Sequence, residues 1–182
     1  MLEAVAGFII AGMIILAACV TAIVIARRRR SPERRLRQFI ASISQDWMSR
    51  CLLPDGVGGE IYVDYLLLTH SGFMVVESKD VTGTVFAGDR LDTWSATSVD
   101  GRVEFDNPIP SLLNRIAAVE QLAPGIPVVG RILFHESVAF PKGHPDVVAT
   151  AESLAREFDD HGPADSLALD RWVEIKAQVS FT

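Results

Sequence analysis

Residues 4–26 run for 23 positions without a charged side chain, and Arg27, Arg28, Arg29 and Arg30 follow at once. A helix of that length rises about 1.5 Å per residue and spans roughly 34 Å, enough to cross the hydrocarbon core of a bilayer. The run predicts a single transmembrane helix over about 4–26. Arginine-rich flanks stay on the cytoplasmic side, so the N-terminus is expected outside and the remainder of the chain inside. A cleaved signal peptide has the reverse layout, with a basic start and a small-residue cleavage site. Cys19 falls within this span and Cys51 in a reducing compartment, so no disulfide is expected. Two cysteines also exclude a disulfide scaffold and a four-cysteine zinc site.

Charge is distributed unevenly. Residues 27–50 hold eight arginines against Glu33 and Asp46, a net +6. Residues 51–182 hold nine Lys/Arg against twenty Asp/Glu, a net −11. The sequence therefore divides into a membrane anchor (1–26), a basic juxtamembrane segment with a first helix (27–50) and an acidic body (51–182). The collar suits anionic headgroups, so residues 4–30 are expected to meet membrane lipid. A polyanionic substrate is the other partner such a collar fits. The acidic body argues against a protein that coats nucleic acid by charge alone.

Ser31-Pro32-Glu33 has the form of a helix start, with a capping hydroxyl, a proline in the first turn and an acid at the positive dipole end. Leu36, Phe39, Ile40, Ile43 and Trp47 recur at helical spacing behind it. Leu53-Pro54-Asp55-Gly56 and Gly58-Gly59 break the chain. Strands are expected over 61–68 and 73–79, joined by the turn Thr69-His70-Ser71-Gly72. Further strands are expected near 81–87, 91–98 and 102–106, the last two joined through Asp100-Gly101. Asn107-Pro108 ends that run, and 109–122 reads as a helix with Leu112, Leu113, Ile116, Val119 and Leu122 on one side. A buried strand over 126–134 follows, then helices over 145–158 and 164–178. Helix, strand meander, helix, strand and helix in that order suggest an α/β sandwich around one mixed sheet.

The hairpin at 61–79 carries the chemistry. A turn of even length centred on His70-Ser71 sets Leu68 opposite Phe73 and Asp64 opposite Glu77. Directly paired residues share a face, with Cβ atoms about 4.5–5.5 Å apart. Lys79, two positions beyond Glu77, shares that face too. Two facing carboxylates repel, and a divalent cation relieves the conflict. Oxygen-rich sites of this kind suit Mg²⁺ or Mn²⁺. A lysine beside the metal orients an attacking water or neutralises charge on a phosphoryl group. An ordinary solvated strand face with a Glu77–Lys79 surface pair is the other reading of the same spacing. His70, His135, His144 and His161 lack metal-ligand spacing, no serine hydrolase arrangement is evident, and no phosphate-cradling P-loop is present.

Ile61-Tyr62-Val63-Asp64-Tyr65-Leu66-Leu67-Leu68, Ser71-Gly72-Phe73 and Val75-Val76-Glu77-Ser78-Lys79 together resemble the nuclease-related domain, NERD. So do Gly83, the strand around Trp94 and the Asn107-Pro108 step into a helix, and the likeness covers roughly 55–135. NERD is similar to the restriction-endonuclease-like PD-(D/E)xK nucleases. The resemblance implies an α/β/α sandwich with a mixed central sheet and divalent-metal-dependent hydrolysis of DNA or RNA. It further implies Asp64 and Glu77 as metal ligands and Lys79 as the catalytic lysine.

The sequence departs from the family pattern at two points. The family has a Gly-Glu pair early in its first helix, whereas Glu33 follows Pro32. Glu33 is either an additional site acid or a first-turn acid that favours the helix dipole. Gly59-Glu60 repeats the letters but precedes a strand. The family also has Gln three residues after Asn-Pro, where this chain has Ser111. These departures and the acidic body sustain an alternative, a catalytically inactive membrane-anchored binding or scaffold domain on a nuclease fold.

Overall fold

The computed structural model describes residues 33–134, 137–158 and 162–181. The chain divides into two compact units, Met1–Phe39 and Ile40–Thr182. The predicted transmembrane segment lies outside the described residues. Among the described residues no helix is long and apolar enough to cross a membrane.

Residues 33–43 are helical (α1), with Ile40 and Ile43 buried near its end. The helix stops there, before the last residue of the predicted stripe. Ser44 Oγ donates to Ile40 O at 2.7 Å, and Gln45 N already reaches Leu68 O at 2.9 Å. Trp47 consequently lies in strand β1 (Asp46–Pro54), where its ring tilts against Tyr65. Its helical spacing from Ile43 is outweighed by an antiparallel ladder to β2 (Glu60–Thr69), which begins at Asp46 opposite Leu68.

β2 and β3 (Gly72–Lys79) form the anticipated hairpin, with Leu68 opposite Phe73 and Tyr65 opposite Val76. Gly72 has φ +129, and a Cβ there would sit 2.3 Å from the Pro127 carbonyl oxygen. The turn therefore needs glycine both for its backbone angle and for the close approach of the chain entering the strand that pairs alongside Phe73.

A single sheet was expected, and there are two. β4 (Gly83–Phe86), β5 (Thr93–Ser98), β6 (Gly101–Asp106) and the short β8 (Val138–Ala139) form a four-stranded sheet in the order β6-β5-β4-β8. The main sheet has the order β10-β1-β2-β3-β7-β9, built with β7 (Val128–Phe134), β9 (Val148–Thr150) and β10 (Ser180–Phe181). A strand has two edges, and β3 gives both of its own to β2 and β7, so the meander that follows must pair elsewhere. Both sheets mix parallel and antiparallel pairs.

α2 (Ile109–Leu122) matches its predicted span and lies against β7. A Cβ on Gly130 would meet Ile116 Cδ1 at 2.5 Å, so the missing side chain permits the close approach of helix to strand. The helix predicted over 145–158 is shorter. Val148–Thr150 pairs in parallel with β7, and α3 (Ala151–Glu157) begins only after it, with Thr150 and Ser153 forming a reciprocal cap. α4 is Ser166–Gln178. Phe73 and Trp172 rings lie 5.6 Å apart, which puts α4 on the Phe73 face of the sheet with α2. Arg131, pointing the opposite way from Gly130, pairs with Glu157 of α3, so the sheet carries helices on both faces. Trp94 is fully buried, donates to Gly88 O at 3.0 Å and stacks on Phe134, joining the smaller sheet to the main core.

Candidate active site

The open end of the hairpin is where the charged residues gather. Backbone pairing between β2 and β3 reaches Tyr65–Val76. One step further, the Asp64 side chain takes over: its Oδ2 accepts from Ser78 N at 2.9 Å. Ser78 separates Glu77 from Lys79, so the Asp64 carboxylate is pinned to the amide between the two other predicted residues. Tyr62, two positions before Asp64, has its phenol pushed up in pKa, first by burial and then by the Asp64 charge and a hydrogen bond to it.

Glu77 is buried, with its side chain 7% exposed. Its Oε1 is 2.7 Å from Lys79 Nζ. Its Oε2 is 2.7 Å from Arg115 NH1 and accepts from Ser111 Oγ at 3.2 Å. Lys79 also lies over the Phe105 ring of β6, 5.7 Å from the centroid, so the smaller sheet walls one side of the site. The sequence reading set two acids against each other and looked to a metal for neutrality. In the folded chain Lys79 and Arg115 already neutralise Glu77.

α2 delivers the groups the hairpin does not. Asn107 positions its start: Nδ2 donates to Leu91 O at 2.8 Å, Oδ1 accepts from Ile109 N at 2.9 Å, and its own amide reaches Asp92 O at 2.8 Å. That fixes the first turn and sends Ser111 and Arg115, one turn apart, toward β3. Arg115 Nε donates to Tyr62 O at 2.6 Å and its NH1 to Ser111 Oγ at 2.9 Å. Ser111, although shorter than the glutamine of the family pattern, thus still reaches the carboxylate.

Arg115 was missed in the sequence. Its only signal was a basic residue four positions after Ser111, at the margin of the stripe Leu112, Ile116 and Val119. Glu33 pairs with Arg37 at 3.0 Å within α1, in the first compact unit. Glu60 accepts from Ser180 Oγ at 3.3 Å in the β10 region.

Asp64 and Glu77 are hard oxygen donors of the kind Mg²⁺ and Mn²⁺ use, and such ions are often held by one or two carboxylates with water completing the shell. Among the described residues no three His, Cys, Asp or Glu side chains cluster. The pair fits a two-carboxylate cation site in kind, on condition that Glu77 gives up one of its present partners.

No curated protein and no solved structure matches the chain. The family model described as NERD, nuclease-related domain, matches residues 29–141, more than half of the chain. That span contains both strands of the hairpin, the second sheet up to β8 and the whole of α2, and the chain belongs to the nuclease-related domain family.

Proposed function

We propose that this protein is a divalent-metal-dependent phosphodiesterase acting on DNA or RNA. The reading rests on one observation above the rest. Lys79 lies on Glu77 at 2.7 Å, and Asp64 accepts from the amide of Ser78, the residue between them. Asp64 and Glu77 would hold Mg²⁺ or Mn²⁺. Such an ion, when bound, supplies Lewis-acid stabilisation of phosphate charge and lowers the pKa of a coordinated water.

The protein's own groups have separable tasks. The Ser78 amide and the Tyr62 phenol together orient the Asp64 carboxylate. Lys79, held between Glu77 and the Phe105 face, offers an ammonium to a phosphate oxygen or to an incoming water. Arg115 presents a planar guanidinium suited to a phosphodiester. Two cations beside two carboxylates give the site a local charge unlike that of the acidic body around it.

The apolar run at 4–26 and the arginine collar support anchoring in a membrane, with residues 4–30 in contact with lipid and the nuclease-related body in the cytoplasm. The second reading, an inactive scaffold, draws on the same Glu77 geometry. A carboxylate whose two oxygens both sit on protein cations has the form of a structural ion pair.

The full chain in detergent micelles, incubated with labelled single- and double-stranded DNA and RNA, separates the two. Cleavage is expected with Mg²⁺ or Mn²⁺ and not with EDTA, and Lys79→Ala is expected to lower it at least about 100-fold. Equal cleavage by wild type and Lys79→Ala, or none with any nucleic acid, supports the scaffold instead.

A further inference from the structure

Both oxygens of Glu77 are committed, and the commitments differ in kind. Lys79 is its neighbour on the same strand, joined through Oε1 alone. Oε2 accepts from Arg115 NH1 at 2.7 Å and lies 3.2 Å from Ser111 Oγ, whose single proton is shared with Pro108 O at 3.0 Å. Arg115 is itself built in: Nε on Tyr62 O, NH1 on both Glu77 and Ser111 Oγ, and a side chain 18% exposed. Its NH2 group makes no hydrogen bond to a described residue, so one edge of the guanidinium remains for a ligand.

From this geometry, and resting on the nuclease reading above, we infer that Arg115 competes with divalent metal for Glu77 and leaves it when a nucleic-acid phosphate binds the guanidinium. A divalent cation on Glu77 would lie beside the NH1 cation already 2.7 Å from Oε2, so the two compete for the charge of one carboxylate. A phosphodiester can displace that contact, because it offers the guanidinium a second anionic partner with the bidentate geometry it prefers. The metal then finds Asp64 and Glu77 together. Metal uptake is thereby coupled to substrate, and the chain without nucleic acid is a weak metal binder. Arg115 is a positioning residue toward the metal and a contact residue toward the phosphate.

Two measurements on the full chain in detergent micelles test this, neither of which needs turnover. Mn²⁺ binding without nucleic acid, followed by electron paramagnetic resonance, is expected to be at least about tenfold tighter in Arg115→Gln than in wild type, because a carboxylate oxygen is released. Binding of a fluorescent oligonucleotide in EDTA is expected to weaken in the same variant, its salt dependence falling by about one unit of slope. Opposite signs in the two assays are the signature, since an arginine that merely held the fold would weaken both. Should Arg115→Gln fail to melt cooperatively, Arg115→Lys, which keeps the charge and loses the fork, is expected to shift both affinities in the same directions by a few-fold. Unchanged or weaker Mn²⁺ binding in the folded variants, with wild-type cleavage still metal-dependent, overturns the competition. Absence of both Mn²⁺ binding and cleavage in every form would instead sink the nuclease reading on which it stands.

Discussion

Replacing Glu77 with glutamine tests the sign of the charge balance at the site. Two bare carboxylates facing each other across a hairpin would repel, and removing one charge would raise stability. The geometry calls for the opposite. Glu77 accepts from Lys79 and Arg115 at 2.7 Å each and from Ser111 at 3.2 Å. Glutamine retains one carbonyl oxygen, and its amide group then faces the other cation, donor against donor. One charge-assisted bond of about 1.5–3 kcal/mol is lost and the other falls to a bond with a neutral acceptor. Lys79 and Arg115 are 26% and 18% exposed, so water compensates only in part. The sum is a loss of about 3 kcal/mol, of the size found when one partner of a buried ion pair is removed. For a chain of this length that lowers the melting temperature by roughly 6–12 °C. A thermal melt of the full chain in detergent, followed by near-ultraviolet circular dichroism at pH 7, reads the shift. A melting temperature equal to or above that of wild type would refute the account, because Glu77 would then be relieved by neutralisation.

Three further outcomes follow from other parts of the fold. Gly72→Ala places a Cβ 2.3 Å from Pro127 O at φ +129, and should cost about 2–5 kcal/mol in urea unfolding; a change below about 0.5 kcal/mol would mean the β7 entry yields without cost. Burial pushes the Cys51 thiol up to about 11. The native chain therefore keeps a proton that the unfolded chain loses above an ordinary value of about 8.5, so this contribution to stability is intact below that pH and declines toward the folded value. Iodoacetamide at pH 8 should label the Cys51 peptide roughly 100-fold more slowly in the native chain than in urea, and equal rates would contradict the burial. Burial raises the Asp46 pKa, but bonds from Lys176, Trp172 and the Trp47 amide outweigh it and hold the carboxyl below its usual range. Asp46→Asn should lower the melting temperature at neutral pH, and the difference should shrink as pH falls through the native carboxyl's range, since that stability exists only above it; a gap that stays constant down to pH 3 would argue against these bonds.

Much of the local structure was legible because it is set by short-range chemistry. An even-length turn centred on His70-Ser71 fixes the pairing parity, so the hairpin could be placed residue by residue. Asn107-Pro108 and the apolar stripe behind it located α2 to its end residues. The same reasoning placed Asp64, Glu77 and Lys79 at one end of one hairpin.

What the residues could not announce was what each strand edge and helix end would meet. Trp47 continues a helical spacing and yet lies in a strand, because an unpaired β2 edge offers a ladder of hydrogen bonds that an extra helical turn does not. The meander forms a second sheet because β7, distant in sequence, takes the edge of β3 that β4 would need. Val148–Thr150 becomes a strand against β7 for the same reason. The charge of the site followed from tertiary structure alone. Only once α2 packs across the hairpin do Arg115 and Ser111 reach Glu77, and an apparent pair of repelling acids becomes a carboxylate held between two cations.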